Sequence, residues 1–301
     1  MNVTTAVPLP RVRERVGAFL SMLVELFKLR VVALLVFSSI AGALAVGAAP
    51  DAMSMLNLII AGTLAAAGSS AVNEYIERDR DALMRRTNKR PLPMSRFTRP
   101  GGVLAIGLGL IIGATTLSLW NSTAQAVWVA LGAFIYVAIY TLWLKPRSVL
   151  NIVIGGAAGS AAVISGGAAA GAWDHPAVLL LSLLVFTWTP VHFWSLAIVH
   201  RSDYIAAGFP MLPARVDVPT AARWVALHTV FTAVAGAGLV AFAPHAALYA
   251  VFAAPSTAWL VVETIKLLRA PNARSAMSLF KFSNAYLGIV LLAVMLAFGL
   301  P

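Results

Sequence analysis

The sequence predicts an all-α, polytopic integral membrane protein, and its composition and the length of its apolar stretches support this fold class. Of its 301 residues, 60% are hydrophobic and 11% are charged, and the mean hydropathy is +0.86. Soluble chains of this length are much more polar. A helix that crosses the hydrocarbon core needs about 20 mostly apolar residues. Nine stretches of this kind occur along the chain.

The nine predicted transmembrane helices follow an N-terminal arm of residues 1–30, and residues 31–301 are expected to form one membrane domain. Arg11, Arg13 and Arg15 before the first stretch resemble the start of a signal peptide. We prefer a retained first helix, because the stretch is long for a signal and Lys28 and Arg30 suit a membrane anchor. The predicted helices span residues 31–49, 53–72, 102–120, 124–144, 150–172, 177–199, 224–243, 246–268 and 279–300.

The placement of charge predicts the orientation of these helices. With the N-terminus in the cytoplasm, all 22 Lys and Arg residues fall on the cytoplasmic side or at the helix ends that border it. The opposite connections, at residues 48–51, 121–123, 173–176 and 244–245, contain none, as the positive-inside rule requires. The net charge of +11 therefore reflects a lipid bilayer and does not indicate nucleic acid. The absence of cysteine excludes disulfides, thiolate metal sites and covalent heme attachment.

The most polar segment follows the second predicted helix and holds four of the 11 acidic residues. If the helix continues beyond Val72, then Asn73, Glu77 and Asp81 recur every four residues and project from one face. Like charges at this spacing repel one another unless a cation lies against them. Mg²⁺ is a suitable cation, because it prefers oxygen ligands and is usually held by one or two carboxylates together with substrate phosphates.

A basic segment follows directly, with Arg85, Arg86, Lys89 and Arg90. Arginine can bind two phosphate oxygens at once, so acidic and basic groups together suit a metal-bridged diphosphate. A solvated, salt-bridged helix end whose arginines contact lipid headgroups explains the charge pattern equally well.

Other candidates lie near the ends of later helices. Asp203 could add a carboxylate, although a turn role is common for such a residue. Lys145 could bind phosphate or extend to lipid headgroups. His192 follows Pro190, a proline that we expect to interrupt its helix; the imidazole could bind heme iron or hydrogen-bond carbonyls that the proline frees. The aromatic side chains Trp188, Phe193 and Trp194 could pack by default or stabilise a carbocation, and Tyr140 and Tyr204 are further candidates for contact with a ligand.

Three of these segments together resemble the UbiA superfamily of intramembrane prenyltransferases, and within it the protoheme IX farnesyltransferases, or heme O synthases. Any one short motif would be weak, but three long ones in this order are specific, and the resemblance covers nearly the whole chain. The segments read NEYIERDRDALMRRT at 73–87 with RPL at 90–92, YTLWLK at 140–145 with NIVIGG at 151–156, and HFW at 192–194 with DY at 203–204 and AGFPMLP at 207–213.

The resemblance implies nine helices around a central cavity. It also implies an enzyme that transfers a farnesyl group from farnesyl diphosphate to a vinyl group of heme B, after which addition of water gives heme O. Mg²⁺ and the diphosphate would be held by Asn73, Glu77, Asp81 and Asp203. His192 would contact heme, and the five aromatic candidates would contact heme or the prenyl chain. The phosphate partners would be Arg85, Arg86, Lys89, Arg90, Lys145 and Arg201.

The arginine-bearing N-terminus is a weak mitochondrial signal, so we expect a multi-pass protein of a bacterial cytoplasmic membrane in preference to the mitochondrial inner membrane. Heme O would pass to the assembly of terminal oxidases, so heme A synthesis proteins or oxidase assembly proteins are candidate partners. One departure concerns the second acidic motif, where the superfamily usually has two carboxylates and this chain has Val199 four residues before Asp203. A second metal would then have fewer protein ligands, or would use Asp217.

Two rival functions stay open at this point. A different prenyl acceptor, such as a quinone-precursor phenol or a chlorophyllide, is the nearest, because sequence does not show the shape of the cavity. A transporter is less favoured, because the chain has no convincing internal repeat and its charges crowd at one face instead of the bilayer midplane.

Overall fold

Regular structure in the protein is helical throughout the part that the computed structural model describes, residues 12–300, and no strand occurs there. A π-helix continues α5, and a short 3₁₀ turn follows α11. The helices are α1 Val12–Leu26, α2 Leu29–Leu44, α3 Ala52–Asp81, α4 Pro100–Leu119, α5 Thr123–Phe134 with its π-helical continuation Ile135–Leu144, α6 Asn151–Gly155, α7 Ala157–Ala169, α8 Pro176–Val199, α9 Arg201–Ala206, α10 Leu212–Arg215, α11 Val218–Gly238 with the turn Leu239–Ala241, α12 Ala246–Arg269 and α13 Ala273–Gly299.

The long helices establish a multi-pass membrane protein. Within residues 12–300, eight helices are long and apolar enough to cross a membrane, when α5 is counted with its continuation and α6 with α7. Helix α2 is apolar but has only 16 residues. These elements correspond to the nine predicted transmembrane helices, so the all-α fold class is confirmed. Nine crossings and a cytoplasmic N-terminus stay predictions.

Three details differ from the sequence prediction. The predicted N-terminal arm contains α1, while residues 1–11 lie outside the described part of the chain. The fifth predicted helix is divided at Gly156 into α6 and α7. Pro190, expected to interrupt its helix, lies inside a continuous α8, so that prediction was wrong.

Six elements enclose a cavity of about 510 Å³: α2, α3, α5 with its continuation, α6–α7, α8 and α13. Helix α2 packs against α3, α7 and α13, and α8 packs against α7 and α13, which closes the ring. Helices α4, α11 and α12 pack on the outside, against α3, α8 and α13 respectively. The cavity expected from the resemblance is therefore present.

Helices α2 and α7 approach each other so closely that two glycines are required between them. Gly42 lies against the Val163 carbonyl, and Gly166 lies against the Ser39 carbonyl. A Cβ atom at either glycine would be nearer to that oxygen than a non-bonded contact allows. Small residues let helix backbones approach in this way, and here the approach fixes one wall of the cavity.

Replacing Gly166 by alanine should lower the stability of the protein by about 1–3 kcal/mol, because the added methyl group must push α2 and α7 apart. The measurement is the midpoint of thermal unfolding in detergent. Gly113→Ala in α4 is the matched control, since nothing lies within 4 Å of a Cβ at that position. The control should be neutral or slightly stabilising. Equal midpoints for the two variants would contradict the close approach.

Candidate active site

The last three turns of α3 bury a row of polar side chains. The helix runs to Asp81, well beyond Val72, so Asn73, Glu77 and Asp81 lie on one face as the spacing predicted. Their exposed fractions are 2%, 4% and 1%, which excludes a solvated helix end. Asp79 lies off this face, and its side chain is 85% exposed.

Two cations from other parts of the chain serve the three buried carboxylates on α3. Lys145 places its Nζ atom 2.6 Å from Glu77 Oε2. Arg90 donates from Nη1 to Asp81 Oδ2 at 2.7 Å, and its Nε atom lies 3.7 Å from Glu74 Oε1. Burying a carboxylate is strongly unfavourable unless it is paired. These cations are therefore what allows the acidic face to point into the protein.

Asn73 begins the acidic face and is held from both sides. Lys28 Nζ donates to Asn73 Oδ1 at 2.5 Å. Asn73 Nδ2 donates to Thr141 Oγ1 at 3.0 Å, and that hydroxyl donates to the Tyr136 carbonyl at 2.8 Å. Sequence reasoning interpreted Lys28 only as a membrane anchor and missed this contact. The pattern offered no signal for it, because the two residues are 45 positions apart.

The π-helix Ile135–Leu144 and Lys145, the residue that follows it, supply the groups that face α3. Thr141 contacts Asn73, and Lys145 contacts Glu77. The two contacts are therefore four residues apart along each of the two segments. π-Helical winding is rare, occurs mostly as single turns and is frequent at functional sites. In this chain it places a hydroxyl and an ammonium group beside the acidic face.

Asp203 joins the site through the loop that follows α3. Its Oδ2 atom accepts a hydrogen bond from the backbone N–H of Arg86 at 3.2 Å and lies 4.0 Å from Nδ1 of His200. Arg201 donates from Nε to the Pro213 carbonyl at 2.8 Å, which ties α9 to α10. Burial and the nearby Arg86 charge lower the pKa of His200. Asp203 and the acidic face of α3 therefore meet the same loop.

Asp217, considered as an additional metal ligand, has its hydrogen-bond contact at the start of α11. It is exposed, and its carboxylate accepts a hydrogen bond from the Thr220 N–H at 3.1 Å at the start of α11. This is a helix cap, so Asp217 has a structural explanation.

The basic segment after α3 is divided between buried and exposed positions. Arg90 is mostly buried against the carboxylates, whereas Arg85, Arg86 and Lys89 are exposed. These exposed side chains lie on the loop that follows α3. They are free to contact a charged ligand, or lipid headgroups as the alternative interpretation holds.

Two of the site cations have shifted pKa values. Burial, together with repulsion from Arg90, lowers the pKa of Lys28 to about 8. Burial also disfavours the Arg90 cation, but the carboxylates of Asp81 and Glu74 outweigh this effect and raise its pKa. Of these two cations, Lys28 is therefore the one that loses its proton more readily.

The cavity begins next to the acidic face. Ser69 and Ser70, one turn before Asn73, line it together with small and apolar residues. Three of the predicted contact residues also line it: Trp188, His192 and Phe193. A polar end and an apolar interior therefore adjoin each other.

The other three aromatic candidates lie outside the cavity lining. Tyr140 packs against Tyr136, with ring centroids 5.6 Å apart and the rings tilted by 33°, and lies under the Lys145 ammonium at 5.5 Å from its ring. Trp194 is buried against His228, with centroids 5.2 Å apart. Tyr204 is buried in α9. The structure therefore places Tyr140 beside the charged groups, and Trp194 in the packing between α8 and α11.

Protein side chains alone do not form a metal cage here. Among the described residues, no three His, Cys, Asp or Glu side chains come together as a metal site. The available donors are oxygen atoms, and Glu77 Oε1 is buried without a hydrogen-bond partner. This donor set fits Mg²⁺, which takes few protein ligands and completes its shell with phosphates and water.

A match to a known protein family identifies the class of protein to which this site belongs. Residues 34–298 match the model of the UbiA prenyltransferase family. The chain belongs to the UbiA prenyltransferase family. Curated relatives of this UbiA chain include a protoheme IX farnesyltransferase of Metallosphaera sedula, 37% identical over 93% of this chain and 97% of the relative. Protoheme IX farnesyltransferase 2 of Paramagnetospirillum magneticum is 41% identical over 92% and 97%.

Solved structures share the fold of this UbiA chain. A digeranylgeranylglyceryl phosphate synthase has a TM-score of 0.75 and 17% identity, and the match covers 93% of this chain and 98% of the other. A UbiA homologue from Archaeoglobus fulgidus bound to DMAPP and Mg²⁺ has a TM-score of 0.64 and 12% identity, with coverages of 90% and 98%. At these identities the likeness establishes the fold alone.

Lys145→Met should destabilise this UbiA protein by about 3–5 kcal/mol, because it leaves the buried Glu77 carboxylate without its cation. Arg78→Met is the matched control. Its partner Asp79 is mostly exposed, and such a surface pair contributes roughly 0–1 kcal/mol. The measurement is thermal unfolding in detergent, and adding Glu77→Gln to Lys145→Met should restore much of the loss. A double variant no more stable than Lys145→Met would contradict the pairing.

Proposed function

We propose that this chain transfers a farnesyl group from farnesyl diphosphate to a vinyl group of heme B, giving heme O. The observation that supports prenyl transfer is the buried acidic face of α3, paired with cations, at one end of an apolar cavity. The acceptor and the farnesyl donor rest on curated relatives named protoheme IX farnesyltransferase that match more than nine-tenths of the chain.

We propose that Asn73, Glu77, Asp81 and Asp203 hold Mg²⁺ together with the diphosphate. Their oxygen atoms suit this hard cation, and the Archaeoglobus fulgidus homologue of the same fold was solved with Mg²⁺ and a prenyl diphosphate. When bound, the metal would neutralise the charge that develops on the leaving diphosphate. Among the residues of the chain, the buried cations Lys145 and Arg90 neutralise the carboxylates and lie where they can also contact phosphate oxygens.

The remaining basic residues complete the diphosphate site in this proposal. Arg85, Arg86 and Lys89 are exposed on the loop after α3, and Arg201 is half-buried next to Asp203. Guanidinium groups bind phosphate oxygens bidentately. The loop would therefore hold the leaving group at the basic end of the bundle, which we expect to face the cytoplasm of a bacterial cell.

The cavity would hold the prenyl chain and the reacting part of heme. Its small and apolar lining suits a farnesyl tail and limits access of water to the allylic cation. The ring faces of Trp188 and Phe193 can stabilise that cation. His192 lines the same space and is the candidate heme contact. The product would pass to heme A synthesis or terminal oxidase assembly proteins.

Glu77→Gln and Asp81→Asn should each lower farnesyl transfer by about 100-fold or more, because each removes a charge that holds the metal and its diphosphate. The measurement is mass spectrometry of hemes extracted after purified protein is incubated with heme B, farnesyl diphosphate and Mg²⁺. A metal chelator should abolish the product. Asp79→Asn is the matched control, since Asp79 is exposed and lies off the acidic face, and it should keep full activity.

Each other outcome tells against part of the proposal. Full activity in both Glu77→Gln and Asp81→Asn would remove these residues from the metal site. Unchanged heme together with a prenylated phenol or chlorophyllide would keep prenyl transfer and replace the acceptor. No reaction with any acceptor would reject prenyl transfer and favour the transport alternative.

A further inference from the structure

His192 occupies an unusual position in the cavity wall. Its ring lies between two aromatic rings: Trp188 at 4.7 Å and Phe280 at 4.5 Å between centroids, with interplanar angles of 15° and 28°. Phe193 meets it edge-on at 5.0 Å. The cation that forms when imidazole takes a proton would be stabilised by the faces of two such rings. Packing alone does not require an ionisable ring here.

The hydrogen bonds around Ser283 determine which nitrogen of His192 carries the proton. Ser283 Oγ donates to the Phe280 carbonyl at 2.8 Å. A hydroxyl has one proton, and with that proton on the carbonyl the hydroxyl accepts in its 3.0 Å contact with His192 Nδ1. Nδ1 therefore carries the proton, and Nε2 keeps a lone pair. Trp188 Nε1 donates to the Ser283 carbonyl at 2.8 Å, which further fixes this arrangement.

The chemistry of heme O formation needs a base of this kind, if the function proposed above holds. The terminal vinyl carbon forms a bond to C1 of the farnesyl group, and the C1–O bond to diphosphate breaks with its electron pair. The positive charge then lies on the other vinyl carbon. To give the hydroxyethylfarnesyl side chain, a water oxygen must bond to that carbon and a proton must leave the water. No oxidant or reductant is involved.

We propose that His192 is the catalytic residue that holds this water and accepts its proton at Nε2, with Ser283 as the positioning residue that fixes the tautomer. A buried water needs two to four polar partners, and Thr189 and Asn284 line the same cavity as His192. Without the held water and its base, the cation would instead lose a proton from the neighbouring carbon to the released diphosphate, and this would give an alkene. The imidazole would therefore determine the rate of the reaction and also which product forms, the hydroxylated adduct or the alkene.

The ratio of products tests this role. His192→Asn keeps an N–H that can donate to Ser283 and lacks Nε2, while His192→Phe keeps the ring stack and lacks both nitrogens. In each variant, the ratio of hydroxylated adduct to the alkene lighter by one water should fall by about tenfold or more, measured by mass spectrometry of extracted hemes in isotopically labelled water. Ser283→Ala should lower the ratio less.

His228 provides the matched control. It is a second buried histidine of a transmembrane helix, packed edge-on against Trp194, and it does not line the cavity. His228→Asn should leave the product ratio unchanged. A wild-type ratio in both His192 variants would overturn the proposal. So would loss of an axial-ligand signature from the heme absorption spectrum in His192→Asn, because a ring nitrogen that ligates the iron cannot also accept a proton from water. If wild-type protein farnesylates no heme, the proposed function itself fails.

Discussion

The arrangement of the site depends on the need to neutralise carboxylates that α3 carries into the protein. Glu77 and Asp81 are almost fully buried, and each is paired at hydrogen-bonding distance with a cation from elsewhere in the chain. An unpaired buried carboxylate would be several kcal/mol less favourable, on the order of what a domain can spare. The pairs therefore fix other elements as well: Lys145 ties the C-terminal end of the π-helix to α3, and Arg90 holds the loop after α3 against that helix.

The need to neutralise the buried carboxylates also separates the charged groups of the site from its apolar cavity. The ionic groups gather around the last turns of α3, and the cavity below them is lined mostly by glycine, alanine, serine and apolar side chains, with Arg30 as its charged member. A substrate with a charged head and an apolar tail fits this division without placing charge in the low-dielectric interior. The neutral polar groups of the cavity wall are then available for a neutral reactant such as water.

The sequence predicted those features of the fold and the site that depend on residues close together in the chain. Apolar length predicted the transmembrane helices because hydropathy is a local property, and the spacing of Asn73, Glu77 and Asp81 predicted their shared face because helix geometry is also local. Contacts between distant segments could not be found in this way. The Lys28–Asn73 hydrogen bond joins residues 45 positions apart. The π-winding beside α3 has no propensity signal, and Trp194 could not be distinguished from the cavity aromatics that precede it in the same helix.

Pro190 lies inside a continuous helix, although the local rule for proline predicts an interruption there. A proline in a helix frees the carbonyl four residues earlier, here that of Phe186, yet α8 continues to Val199. Neighbouring elements can accommodate such a site in a membrane protein. Gly156, which follows the last residue of α6, lies so close that a Cβ atom there would be 3.2 Å from this carbonyl and 3.1 Å from Thr189. The wall at this level is therefore packed tightly on one side of α8, while Ser283 fixes His192 from α13 on the other. The proline does not break the helix, and the residue two positions later is held in one orientation by hydrogen bonding and ring stacking.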